Sequence, residues 1–113
     1  MKELEKLLKA LADKNRLRII KLLEERKMCV CELASILGIT QPSVSKHLKK
    51  LGAAGITVYE QDRFWTNYYL RQDNKSLKTL LACFRKHLDN NAVIKQDFEK
   101  LKRINRTKLC CKK

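Results

Sequence analysis

Three features of the sequence predict a mainly helical domain with one small β-hairpin, α+β in class and centred on a helix-turn-helix. Apolar side chains recur at helical spacing in six stretches. Two of these stretches, within Met28 to Leu51, are separated only by the punctuation Gly38-Ile39-Thr40. Between Ile56 and Arg71 the apolar period drops to two, and β-branched and aromatic residues accumulate.

Size and charge narrow the possible functions. A length of 113 residues suits a single domain, and such a chain buries roughly two-thirds of its unfolded surface. The net charge of +14 favours an anionic partner through counterion release and long-range steering. No apolar run approaches the ~20 residues of a membrane span. The first ten residues, MKELEKLLKA, are charged where a signal peptide is apolar. The expectation is a cytoplasmic protein with no membrane partner. There the five cysteines are thiols rather than a disulfide framework. The chain has no glycine-rich phosphate loop, and its acids are scattered among lysines. No histidine stands beside a cysteine at a spacing that suggests a nucleophile, so an enzyme is not expected.

Along the chain, Leu4, Leu7, Leu8 and Leu11 mark a first amphipathic helix. Asp13 can cap a second, Lys14 to Glu25, with Leu17, Ile20 and Leu23 inward and Arg26 and Lys27 at its end. Val30, Leu33, Ala34 and Leu37 form the apolar face of the third, which Gly38 stops by taking a left-handed conformation. Thr40 offers a hydroxyl cap to the fourth, and Pro42 sits in its first turn, where its missing N–H is not needed. Val44, Leu48 and Leu51 are the buried stripe of that helix, and Gly52 and Gly55 close it. Two strands follow between Ile56 and Arg71, with the turn at Gln61, Asp62 and Arg63. The aromatic side chains here read as hairpin packing rather than as base-stacking surfaces, since few cations accompany them. Leu77, Leu80, Leu81, Phe84 and Leu88 define a fifth helix from about Asp73, and Val93, Ile94, Phe98, Leu101 and Ile104 a sixth. The terminal helices, residues 1–12 and 73–107, hold more apolar stripe than a small DNA-binding core needs. That surplus predicts a symmetric dimer. Residues 108–113 are a basic tail containing Cys110 and Cys111.

The fourth helix carries the functional reading. Gln41, Ser43, Ser45, Lys46, Lys49 and Lys50 lie off its buried stripe, with Thr40 at its start. Short polar tips at the N-terminal end followed by cations suit a helix that reads base edges in the major groove and holds phosphates. His47 is expected to pack or to face phosphate.

Ala10 to Ile20 (ALADKNRLRII), Cys29 to Leu33 (CVCEL), Gln41 to Leu48 (QPSVSKHL) and the strand Trp65 to Tyr69 together resemble the ArsR-type (arsenical-resistance) repressors. The resemblance covers about residues 4 to 90. It implies a winged helix-turn-helix homodimer that binds a palindromic double-stranded operator and lets go when a thiophilic metalloid, As(III) or Sb(III), binds. It makes Gln41 to Lys49 the recognition helix, residues 56–71 the wing and Gln61 to Arg63 the wing tip, with Arg63 touching DNA. This tip departs from many members in having no glycine.

The metal ligands expected are Cys29, Cys31, Cys110 and Cys111. Thiolates are soft donors that select As(III), Sb(III), Cu(I), Cd or Zn over hard ions. On a helix, residues two apart point about 200° away from each other. Cys29 and Cys31 can therefore share an ion only if the helix start is unwound. Cations flank both pairs: Arg26 and Lys27 at one, Lys108, Lys112 and Lys113 at the other. Members with three local ligands have a further cysteine where this chain has Ala34. A third sulfur is then expected from Cys110 or Cys111, or the tail pair forms a separate site. Cys83 and His87 have i, i+4 spacing but are too few for a site, and Cys83 reads as core. Other readings of the same fold are a thiol redox sensor and a Zn/Cd sensor. A DNA- or RNA-coating protein without effector is a further class, distinguished by indifference to sequence.

Overall fold

The computed structural model describes residues 1–104. Its order is α1 (Lys2–Leu11), α2 (Lys14–Glu25), α3 (Val30–Leu37), α4 (Gln41–Ala53), β1 (Thr57–Asp62), β2 (Trp65–Leu70), α5 (Lys75–Asp89) and α6 (Ala92–Arg103). The expected tail, residues 108–113, and the end of the expected 73–107 segment lie outside the described residues.

The helix signals act where their chemistry suits them. Asp13 accepts the Arg16 N–H at 3.0 Å and opens α2. Burial pushes its carboxyl up, but this hydrogen bond and the charges of Arg16 and His47 leave it below the usual value. Arg16 also closes α1, donating to the Ala10 and Lys9 carbonyls at 2.7 and 3.3 Å. Gly38 takes φ 73° and ends α3. A side chain there would meet nothing within 4 Å, so only the backbone resists substitution. Gly38→Ala is expected to cost about 1–2 kcal/mol in urea denaturation. No loss would mean that α3 can end without the left-handed residue.

Ile19, Ile20, Leu22, Met28, Leu33, Ile36, Val44, Leu51 and Ile56 are buried at the junction of α2, α3, α4 and the hairpin. Burying each such side chain contributes roughly 1.5–3 kcal/mol. Met28 adds a one-residue bridge to β2. Its N–H donates to the Tyr68 carbonyl at 3.1 Å, and the Tyr68 N–H donates to the Met28 carbonyl at 2.8 Å.

Three expectations are corrected. β1 and β2 pair antiparallel up to Asp62↔Trp65, so the turn is Arg63–Phe64 and not Gln61–Asp62–Arg63. A two-residue loop needs a left-handed residue, and Arg63 supplies it at φ 56°, the position at which a type II′ turn has positive φ. Secondly, α4 continues through Gly52, and Gly55 alone makes the left-handed turn, at φ 76°, into β1. Thirdly, Cys83 is exposed rather than in the core, because only Leu77 and Leu81 of α5 reach the interior.

The apolar surplus is also distributed unevenly. On α6, Ile94 is buried and Phe98 and Leu101 pack on the core of its own chain. On α1, Leu7 and Leu11 are buried while Leu4 and Leu8 remain 47% and 46% exposed. Phe84 on α5 is likewise exposed.

Candidate nucleic-acid interface and thiol pair

The outer face of α4 is polar and cationic, as expected. Thr40, Gln41, Ser45, Lys46, Lys49 and Lys50 are exposed, and Ser43 is half-buried. The Thr40 hydroxyl accepts the Ser43 N–H at 3.3 Å and donates to the Ser43 hydroxyl at 3.0 Å. These two hydroxyls thus serve the helix cap as well as any DNA contact. Among the described residues no carboxylate pairs with Lys46, Lys49 or Lys50. Their charge faces solvent, ready for phosphate. His47 is half-buried, with Nδ1 3.4 Å from Arg16 Nη1, which places it on the packing side.

The hairpin stands beside this helix. A groove of about 510 Å³ between them is lined by Ser45, Lys49, Tyr59 and Arg71, among others. Tyr59 and Arg71 join the surface although sequence reasoning did not select them. Tyr59 is 64% exposed and Phe64, at the wing tip beside exposed Arg63, 68%. Packing accounts for Trp65, Tyr68 and Tyr69, which are half-buried, and Tyr59 packs its ring on Tyr68 at 5.6 Å between centroids while leaving most of its surface open. Alternation along β1 gave no signal, since Tyr59 shares its strand face with buried Thr57.

The thiol pair lies at the other end of the helix-turn-helix. Cys29 is the N-cap of α3, with extended backbone (φ −92°, ψ 170°), and is buried. Its side chain and Glu32 form a capping box. Glu32 Oε1 accepts the Cys29 N–H at 3.0 Å, and Oε2 accepts from Arg26 Nη1 at 3.0 Å. Cys31 is half-buried in the first turn. The helix therefore begins after Cys29, and only Cys31 of the pair is held at a helical position. The described residues offer two soft donors here. Among them no group of three or more His, Cys, Asp or Glu is arranged to hold a metal ion. Cys110 and Cys111 lie outside the described residues.

Comparison with known proteins agrees with this geometry. The family model described as bacterial regulatory protein, arsR family, matches residues 13–57. The arsenical resistance operon repressor of Bacillus subtilis is 39% identical over 90 residues, covering 76% of this chain and 86% of that protein. The chain belongs to the ArsR family. Within it, the repressor SmtB of Mycobacterium tuberculosis is 47% identical over 55 residues, 49% of this chain and 41% of that protein. The homodimeric winged helix-turn-helix DNA-binding domain Mb0332 of Mycobacterium bovis, described as a possible ArsR-family regulator, shares the fold. It does so with a TM-score of 0.67 at 24% identity, over 80% of this chain and 87% of that one. This ArsR-family protein is a DNA-binding transcriptional repressor with a winged helix-turn-helix fold, not an enzyme. Among the described residues no helix is long and apolar enough to cross a membrane.

For such a repressor, Gln41→Ala is expected to weaken its own operator by roughly 1–3 kcal/mol, the value of a good base contact, and random DNA far less. Lys49→Ala should weaken both duplexes alike and flatten the salt slope by about one unit. Competition titrations at several salt concentrations measure both; equal loss on both duplexes for Gln41→Ala would remove it from base reading.

Proposed function

We propose that this ArsR-family repressor is a homodimer on a palindromic operator, released when As(III) or Sb(III) binds Cys29, Cys31 and a sulfur of Cys110 or Cys111. One observation carries the reading. Cys29 is at once a soft donor and the cap of the first helix of the helix-turn-helix. A thiophilic ion that takes this sulfur competes with the capping box. Its backbone neighbour Met28 is bonded to β2 of the wing, and α3 leads through Gly38 to α4. Displacement at the cap thus has mechanical routes to both DNA-contacting elements. Such a ligand shifts DNA affinity only to the extent that it binds the two arrangements differently.

Thr40, Gln41, Ser43, Ser45, Lys46, Lys49, Lys50 and Arg63 are the proposed DNA contacts. Leu4 and Leu8 of α1 with Phe84 of α5 supply the apolar surface for the second copy. The dimer then sets its reading helices about 34–36 Å apart, in successive major grooves.

The test is operator mobility shift with arsenite, antimonite, zinc, cadmium and peroxide in separate arms, with arsenic X-ray absorption counting sulfurs around the ion. Release by arsenite with three sulfurs supports the reading. Release by peroxide alone, or by zinc or cadmium alone, replaces it with a redox or metal-ion sensor.

A further inference from the structure

The sixth helix lies wholly outside the family-matched stretch, yet it is bonded to the middle of the helix-turn-helix. Arg18 Nε and Nη2 donate to Asp97 Oδ2 and Oδ1 at 2.8 and 2.9 Å. Asp97 is 1% exposed, so α6 places a carboxylate inside the domain against a guanidinium of α2. The same Arg18 reaches further: Nη1 donates to Asn15 Oδ1 at 3.0 Å and Nη2 to the Leu37 carbonyl at 3.3 Å. One α6 turn on from Asp97, Lys100 Nζ donates to the Ile36 carbonyl at 3.3 Å.

Ile36 and Leu37 are the last two residues of α3. Their carbonyls belong to the final turn, which has no partners within the helix, and cations there oppose the negative end of the helix dipole. Gly38, Ile39 and Thr40 alone separate this end from α4. Whatever orients the end of α3 therefore orients the start of the reading helix.

We propose that α6 is a strut for DNA reading, in which Asp97 (through Arg18) and Lys100 hold the carbonyl end of α3 and so set the angle at which α4 meets the operator. Both are positioning residues. Neither lies on α4 or the wing: Lys100 bonds the end of α3 directly, and Asp97 acts through Arg18, which donates to the Leu37 carbonyl. The strut depends on the repressor's DNA binding and not on the identity of its effector, so it stands or falls separately from metalloid release.

The test compares Asp97→Asn and Lys100→Met with wild type, in competition between the operator and a random duplex. Asparagine keeps the shape and one acceptor for Arg18, and methionine keeps most of the lysine stem without leaving a buried charge. The ratio of operator to random affinity does not depend on the fraction folded, because both duplexes compete for the same folded molecules. A mere loss of stability lowers the melting temperature and leaves this ratio alone. The expected result is a ratio reduced about two- to thirtyfold in at least one variant, with the salt slope unchanged because no phosphate contact is lost. Unchanged ratios in both variants overturn the strut. So does a parallel loss on both duplexes with a flatter slope, which would make Lys100 a phosphate contact. Should Asp97→Asn fail to fold, Lys100→Met decides alone.

Discussion

Cys29→Ser and Cys31→Ser are each expected to bind operator much as wild type does and to lose release by arsenite. The local geometry explains why binding survives. Cys29 stands at the N-cap of α3, and serine is among the best residues for that position. The hydroxyl can face the helix N–H groups in place of sulfur, and the Glu32 carboxylate keeps its hydrogen bond from the backbone N–H of residue 29. Fold and reading helix are retained, while a hard oxygen replaces a soft donor. Couplings between effector and DNA typically amount to 5–150-fold in affinity, and this entire factor should vanish. Cys29→Ala makes the complementary variant: it removes sulfur and cap together, and is expected to lower stability by about 0.5–2 kcal/mol. Mobility shifts with and without arsenite give the answer. Full release from either serine variant would remove that residue from the site, and normal release from Cys110→Ser/Cys111→Ser would remove the tail.

Leu51→Ala should produce the largest loss of stability, about 2–5 kcal/mol. Leu51 has no exposed surface, and its carbonyl accepts the Ile56 N–H at 2.9 Å, where α4 turns toward the hairpin. Truncation leaves a void where the recognition helix seats on the domain. Against a total of about 5–15 kcal/mol the loss is a large share. Urea denaturation followed by circular dichroism measures it. Lys50→Ala, one residue away and exposed, is the control, expected within about 0.5 kcal/mol of wild type. Comparable losses at the two positions would mean that α4 does not seat on its Val44–Leu48–Leu51 face.

Local chemistry made the helix-turn-helix legible. Asp13, Gly38, Thr40 and Pro42 each act through their own backbone or the next turn, so their roles follow from residue type and spacing. The face of α4 was legible for the same reason: period 3.6 separates Val44, Leu48 and Leu51 from Ser45, Lys46, Lys49 and Lys50, while Gln41 is exposed as the first residue of the helix. The hairpin turn was less so. Without an Asn-Gly or Asp-Gly signal, its position depends on cross-strand register, and Asp62↔Trp65 pairing puts a left-handed arginine where no sequence rule would.

Residue type and period thus determined that this chain folds as a helix-turn-helix with a hairpin, and which face of α4 is polar. Contacts between distant segments were decided by tertiary structure alone. The Arg18–Asp97 pair joins residues 79 apart in sequence, the Met28–Tyr68 bridge ties the thiol pair to the wing, and Tyr59 gains a groove by lying beside Lys49. An amphipathic stripe states that a helix must be covered, not what covers it. Part of the α6 stripe packs on the core of its own chain, where Asp97 also supplies Arg18 with a carboxylate and Lys100 supplies the end of α3 with a cation.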